Sequence, residues 1–381
     1  MYVFERGNLP ADAHFPADLG KLGYFINDKD QIRKISDPTQ DFRFKINSNA
    51  RWNELQREAM NECIRTIVSS RLRDLGLTTL RLPLKASSVE PHVPVMVSSN
   101  LSSATRIIVV IGEPIQDLGV WAYRSVGEDS IDGGTAVSLA KAIFRPGTDK
   151  EGDTDPKGKR EETALILANT GQLIWHCGAR KAMTLTSWTS FPRPSAVDPP
   201  LMMTGRNKVP KNESWEEHIM CVFDEILASR GHLVRKDAKV DVIGVADGGL
   251  GVIRYLSDNW EDWRPYISAI CLTNPLHSVR VDLSNEGDDK SSPSSFAAFL
   301  SSRCRAYVLS DQEDGLPVSG SVEYGCNCYA SGESLNIEGI MSKAWVHMLE
   351  WLDRAHADPN LFEAQLEVKE FGGEAWVSDS E

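Results

Sequence analysis

Long apolar runs are missing from this sequence. No stretch of about eighteen consecutive apolar residues, the least that a membrane-spanning helix needs, occurs in the 381-residue chain. Positive charge is also short: 41 Lys and Arg stand against 54 Asp and Glu, a net charge of −13. Phosphate backbones are held by clustered cations, so direct binding of nucleic acid by the surface as a whole is not expected. Met1 to Leu9 lack the basic start and apolar stretch of a secretory leader. The seven cysteines, Cys63, Cys177, Cys221, Cys271, Cys304, Cys326 and Cys328, are odd in number and mostly sit in apolar runs. Reduced, buried thiols in a nuclear or cytoplasmic protein that is not secreted are the expectation.

What is present suits one large soluble domain. The composition, 41% hydrophobic and 25% charged, is ordinary for a chain that buries a sizeable core. The expected organisation is an arm over residues 1–20, a single domain over 21–366, and a disordered acidic tail over 367–381.

Leu22 to Arg33 reads as a hairpin with a polar Asn27-Asp28-Lys29-Asp30 turn. Trp52 to Leu72 carries Trp52, Leu55, Ala59, Met60, Cys63, Ile64, Ile67, Val68 and Leu72 at helical spacing, and Gly76 follows as its terminator. Short β-branched runs then alternate with helical segments. Val93 to Ser98, Arg106 to Ile111, Ala164 to Ala168, Val240 to Ala246, Ile267 to Thr273 and Arg305 to Ser310 read as interior strands. Thr135 to Phe144 and Ile337 to Ala355 read as helices. Another helix starts at Ser214, with a capping box to Glu217, and closes at Gly231. This alternation predicts an α/β fold, a mostly parallel sheet with helices on both faces. Arg145 to Glu162 and Ser284 to Ser295 read as mobile loops, and the Pro-rich Phe191 to Asn212 as an ordered surface excursion.

The segment Val240 to Ile253 reads strand, Gly-rich turn, helix, the setting of the G-x-S-x-G nucleophile elbow. A nucleophile on so sharp a turn needs small residues two before and two after it, and Gly244 and Gly248 stand there. The nucleophile slot between them holds Ala246, whose methyl group has no attacking atom. A second register makes Asp247 the nucleophile, but its flanking positions are Val245 and Gly249, and a β-branched residue crowds such a turn. The chain order of a triad also fails. Asp311, Glu313 or Asp314 can supply the acid, yet Gly315 to Glu338 contains no His, and His347 and His356 come too late. His277 precedes the acid, so a hydrolytic site of Asp247, His277 and Asp311 would be noncanonical.

Other chemistries are weaker. The glycines 244, 248, 249 and 251 miss the G-x-G-x-x-G dinucleotide spacing. Cys326 and Cys328 with Cys304 have no second Cys pair or His pair to complete a zinc site. Lys157-Gly158-Lys159-Arg160 reads as a solvated turn. No cofactor and no metal are expected.

Five features in this order carry a resemblance. They are the Gly23-Tyr24-Phe25-Ile26-Asn27 hairpin, the Trp52 helix, the Val110-Ile111-Gly112-Glu113-Pro114 run, the degenerate elbow and Leu272-Thr273-Asn274-Pro275-Leu276-His277. Together they resemble the Argonaute-binding protein 2 domain family over about Lys21 to Ala355. The resemblance implies an α/β-hydrolase-like domain and roles in RNA silencing and heterochromatin through protein contacts. The family includes a fungal subunit of the Argonaute siRNA chaperone complex, the C-terminal domain of fungal class II histone deacetylases, and an animal nuclear protein tied to Argonaute and co-transcriptional regulation. It implies Argonaute, its binding subunits or histone deacetylase subunits as partners; the acidic net charge and the lack of a long apolar run argue against direct nucleic-acid or membrane contact. Some members keep Ser in the elbow, and this chain departs from them at Ala246. Alternatives are a hydrolase or a small-ligand sensor using the degenerate pocket, with Phe191 to Asn212 as part of a lid, and contact with basic partner segments. Restoring the nucleophile alone, as Ala246→Ser, is expected to create no esterase activity, because the base is missing. Turnover of p-nitrophenyl acetate by that variant above the wild-type background would overturn this expectation.

Overall fold

The computed structural model describes residues 9–144, 163–283, 292–366 and 368. The loop expected over residues 145–162, with its basic Lys157 to Arg160 run, most of the 284–295 loop, and nearly all of the tail lie outside the described residues.

The strands of the main sheet are β1 (Leu77–Leu82), β2 (Val93–Ser98), β3 (Arg106–Ile111), β4 (Thr163–Leu167), β5 (Lys239–Val245), β6 (Ile267–Thr273), β7 (Cys304–Val308), β8 (Pro317–Val318) and β9 (Asn327–Ala330). Their spatial order is β1-β2-β4-β3-β5-β6-β7-β9-β8. β2 pairs antiparallel with β1 and β4, and β8 antiparallel with β9, while the pairs from β4 through β9 are parallel. The crossover of β3 and β4 beside an antiparallel β2, and a helix leaving β5 at a sharp turn, make this the α/β-hydrolase arrangement. Every residue of β3 is buried, as expected of a central parallel strand covered on both faces.

The principal helices are α1 (Ala50–Asp74), α2 (Ala136–Phe144), α3 (Trp215–Cys221), α4 (Asp247–Asp258), α5 (Phe296–Arg303) and α6 (Ile340–Ala357). α1, α2 and α6 cover one face, through Met60, Val68, Leu139 and Trp351 among others. α3, α4 and α5 cover the other, through Ile219, Val252 and Phe296. Strand alternation sends Arg106 and Asp241 toward the α6 face. There Arg106 Nε meets Asp241 at 2.6 Å and its Nη1 meets Asp353 of α6 at 2.5 Å. The N-terminal hairpin pairs Tyr24–Ile26 with Ile32–Lys34 and sets Tyr24 and Ile32 into the α1–α2 core.

Several boundaries differ from the sequence reading. β4, β5 and β7 each begin one residue earlier than expected, because pairing with neighbouring strands decides where a ladder starts. The antiparallel strand β1, the hairpin of Ile174–His176 with Lys181–Met183, and the short strands β8 and β9 were not anticipated. The Ser214 hydroxyl accepts from the Glu217 amide at 3.3 Å, but the Glu217 carboxylate turns to the Glu213 amide rather than to the cap residue. That helix does not run to Gly231. It widens into a π-helical stretch, Val222–Leu227, and is capped at Ala228, while Gly231 takes φ 81° in the following turn. Of the seven cysteines only Cys177 is exposed. Burial raises the thiols of Cys304 and Cys328 well above their ordinary value, which opposes the thiolate that zinc ligation requires.

His218 in α3 is fully buried. Its Nε2 accepts from the Asn169 amide at 3.0 Å, and its Nδ1 lies 2.6 Å from Asn212 Oδ1. Burial pulls its pKa from 6.5 down to about 3. A depressed imidazole is neutral in the folded protein and protonated in the unfolded chain. The stability it confers is therefore complete above pH 6.5 and is lost as pH falls toward 3. The unfolding free energy should lose up to about 1.4 kcal/mol per pH unit across that window from this group. Urea denaturation at a series of pH values should show a shallower slope in His218→Gln, and an unchanged slope would assign the acid sensitivity elsewhere.

Candidate functional site

The site stands at the carboxyl ends of β3, β5 and β6, where the order of strands crosses over. β5 ends at Val245 and α4 begins at Asp247, so Ala246 alone makes the turn, at φ 46° and ψ −116°. That left-handed, strained conformation falls on Ala246 and not on Asp247, which already opens the helix. The close approach explains both flanking glycines. A Cβ on Gly248 would lie 2.4 Å from the Gly112 carbonyl oxygen and 2.5 Å from that of Ile111. A Cβ on Gly244 would lie 2.5 Å from Gly249 Cα, and one on Gly249 would press against Leu272. The turn is tied to the next strand by the Ala246 amide, which donates to the Thr273 carbonyl at 2.9 Å.

Above the turn lies an open cleft of about 560 Å³, lined among others by Ala246, Asp247, Glu113, Asn274, Arg124 and Glu338. Glu113 lies two residues past the end of β3, in the loop where hydrolases of this fold place a backbone N–H of the oxyanion hole. Burial pushes Glu113 above the usual carboxylate range; the Gln116 hydrogen bond pulls it back, and the negative charges of Asp247 and Glu338 push it further up. Glu113, Asp247 and Glu338 thus line one cleft, and the latter two charges bear on Glu113. Arg124 is tethered, with Nε on Glu128 at 3.0 Å and Nη1 on Asn336 at 2.9 Å.

The loop that carries Glu113 is held from below by a buried charge cluster. Asp117 accepts from Arg65 Nη1 at 3.0 Å, from the Tyr123 hydroxyl at 2.6 Å and from Gln172 Nε2 at 2.6 Å. Arg65 reaches from α1 and also meets Glu58 at 2.6 Å and Glu62 at 2.5 Å.

Asp247 lines the cleft, but neither His277 nor Asp311 is among its lining residues. His277 is buried, with Nε2 at 2.8 Å from the Tyr324 carbonyl and Nδ1 without a hydrogen-bond partner among the described residues. Burial lowers its pKa. Asp311 is exposed on its loop. A histidine does meet the acid-bearing loop, but from an element that chain order did not point to: His347 of α6 places Nδ1 3.2 Å from Asp314 Oδ1. Neither lines the cleft. Phe191 to Asn212 does not line it either. That excursion packs instead beside the arm, where Ser195 donates to the Pro10 carbonyl, and beside the small hairpin, where Phe191 stacks on His176. Among the described residues no group of three or more His, Cys, Asp and Glu is placed to hold a metal. Sequence reasoning missed Glu113 and Glu338; the only signal was that Glu113 comes two residues after a strand.

A sequence profile described as the Arb2 domain matches residues 15–314. The mouse protein named cotranscriptional regulator ARB2A is 24% identical over 295 residues, covering 70% of this chain and 65% of that protein. Its human counterpart is 24% identical over 295 residues, covering 73% of this chain and 68% of that protein. The match thus spans about two thirds of these relatives' length. A solved histone deacetylase structure from Saccharomyces cerevisiae overlays with a TM-score of 0.42 at 12% identity, covering 77% of this chain and 98% of that one.

The geometry of the turn separates two substitutions. Gly248→Ala drives a methyl group into two backbone carbonyls that cannot swing away, and should cost about 3 kcal/mol or more. Ala246→Gly relieves a left-handed residue, and should be neutral or stabilising by about 1 kcal/mol. Urea midpoints read both; a tolerated Gly248→Ala would refute the close approach.

Proposed function

The chain belongs to the Arb2 domain family, and from that premise we propose that it is a noncatalytic, hydrolase-shaped interaction subunit of a gene-silencing or co-transcriptional complex. One observation carries the proposal: the elbow keeps its strained backbone and its two clearance glycines, yet presents the methyl group of Ala246 where the attacking atom belongs. The acidic setting of Glu113, Asp247 and Glu338 supports the same reading, since it opposes an oxyanion. So does the cleft's lining, which includes no histidine to act as a base. Ile115, Leu276 and Ile337 leave exposed apolar faces at the rim of the cleft, the kind of surface that a protein partner covers. The relatives named cotranscriptional regulators support a role in RNA-linked regulation, and the family's name supports Argonaute complexes as partners.

The open cleft of about 560 Å³ favours one second reading, a ligand sensor that binds without turnover. Affinity purification of the tagged chain from its native cells, with and without RNase, separates the two. Recovery of an Argonaute or an Argonaute-binding subunit that survives RNase is the expected result. Recovery of deacetylase subunits would keep the interaction role and move it to chromatin. No stable partner in either condition would overturn the proposal in favour of the sensor.

A further inference from the structure

Although the chain carries a net charge of −13, one cleft on its surface is basic. It measures about 390 Å³ and opens between α1 and the hairpin of Ile174–His176 with Lys181–Met183. Helical spacing builds one wall. Glu62, Arg65, Ser69 and Arg73 follow one another along α1 at steps of three and four, so they form a single stripe. The hairpin builds the other wall. Its turn is fastened by the Ala179 amide, which donates to His176 Nδ1 at 2.8 Å. Arg180 sits in that turn in the left-handed region at φ 50°, directly before Lys181. Ser187 completes the lining, as does His92, whose ring centroid lies 4.8 Å from that of Trp175.

The cations of this cleft are not equally committed. Arg65 is neutralised by Asp117, Glu58 and Glu62, and Lys181 leans on Glu62 at 3.3 Å. Arg73 and Arg180 are exposed and form no side-chain hydrogen bond or ion pair among the described residues. Glu62 is the single carboxylate among the lining residues, against Arg65, Arg73, Arg180 and Lys181. Two unengaged guanidinium groups lining one pocket from two separate elements, with Ser69 also in the lining, match the donor set that holds a compact dianion.

We propose that this cleft binds a phosphomonoester group, carried by a small molecule or a phosphorylated side chain. The cleft's volume suits one phosphate and the moiety attached to it, and the acidic remainder of the surface repels a long polyanion. The site is separate from the elbow and does not depend on the reading of Ala246. Its occupant would touch Arg65, which on its other side fastens Asp117 and the loop walling the elbow cleft.

The test is titration calorimetry on the full chain at constant ionic strength. The probes are sodium phosphate, O-phosphoserine and a 5′-phosphorylated RNA decamer, with sodium chloride, serine and the unphosphorylated decamer as controls. Saturable binding of phosphate and phosphoserine is expected, weakened about tenfold or more in Arg73→Ala/Arg180→Ala and unchanged in Arg81→Ala, which alters an exposed arginine outside the cleft. Phosphoserine tighter than phosphate would point to a phosphorylated chain as source; equal affinities would point to small phosphates. Absence of saturable binding, equal binding by the double variant with an unchanged melting temperature, or decamer binding that ignores the 5′-phosphate would each overturn the proposal.

Discussion

Strands β3 and β5 lie side by side, and α4 leaves β5 so abruptly that the backbone at Gly248 passes against the carbonyls of Ile111 and Gly112. Much else follows from that contact. It forces the reversal onto one residue, which puts Ala246 in the left-handed region. It leaves no room for a side chain at Gly248, nor at Gly244 beneath the helix. It also fixes where the chain after β3 emerges, so that Glu113 and Asp247 line the same cleft. A turn of this cost, of order 1–3 kcal/mol at a non-glycine residue, persists because interior packing on both faces of the sheet over-determines it.

A second arrangement, of charge rather than backbone, holds the rim. Asp117 takes three hydrogen bonds, from Arg65, Tyr123 and Gln172. These belong to α1, to the segment after β3 and to the segment after β4, so one buried carboxylate ties three parts of the chain together. Removing such a carboxylate would strand a buried guanidinium and leave it partly uncompensated, which is why clusters of this kind are costly to break. The same α1 arginine lines the basic cleft, so the ion pair of Arg65 with Asp117 links that cleft to the loop after β3. Opposite charge on neighbouring clefts is invisible in a net charge of −13, which averages over the whole surface.

The sequence was legible where local physics decides. Strands β2, β3 and β6 were read at their observed limits because their apolar β-branched runs are continuous and almost wholly buried. α1 was read from its apolar stripe, and the elbow from its glycine spacing. Short elements that exist only through pairing were not legible: β9 has four residues and β8 has two, too few for a periodic signal. The π-helical widening after α3 was equally hidden, since a helix signature does not state how its last turns are bonded. The meeting of His347 with Asp314 escaped because chain order is a rule about loops, and α6 delivers this histidine from a helix.

By itself, then, the sequence determined the α/β class, the strand–turn–helix segment with Ala246 at its turn, and the two glycines that clear that turn, because each depends on residue types at short, fixed spacings. The tertiary structure alone decided the surroundings. Glu113, Asp247 and Glu338 come from three distant stretches of chain, and Arg73 and Arg180 of the basic cleft from two. Charges so far apart in sequence interact only once packing brings them within a few ångströms, where the Coulomb term rises steeply as the distance closes.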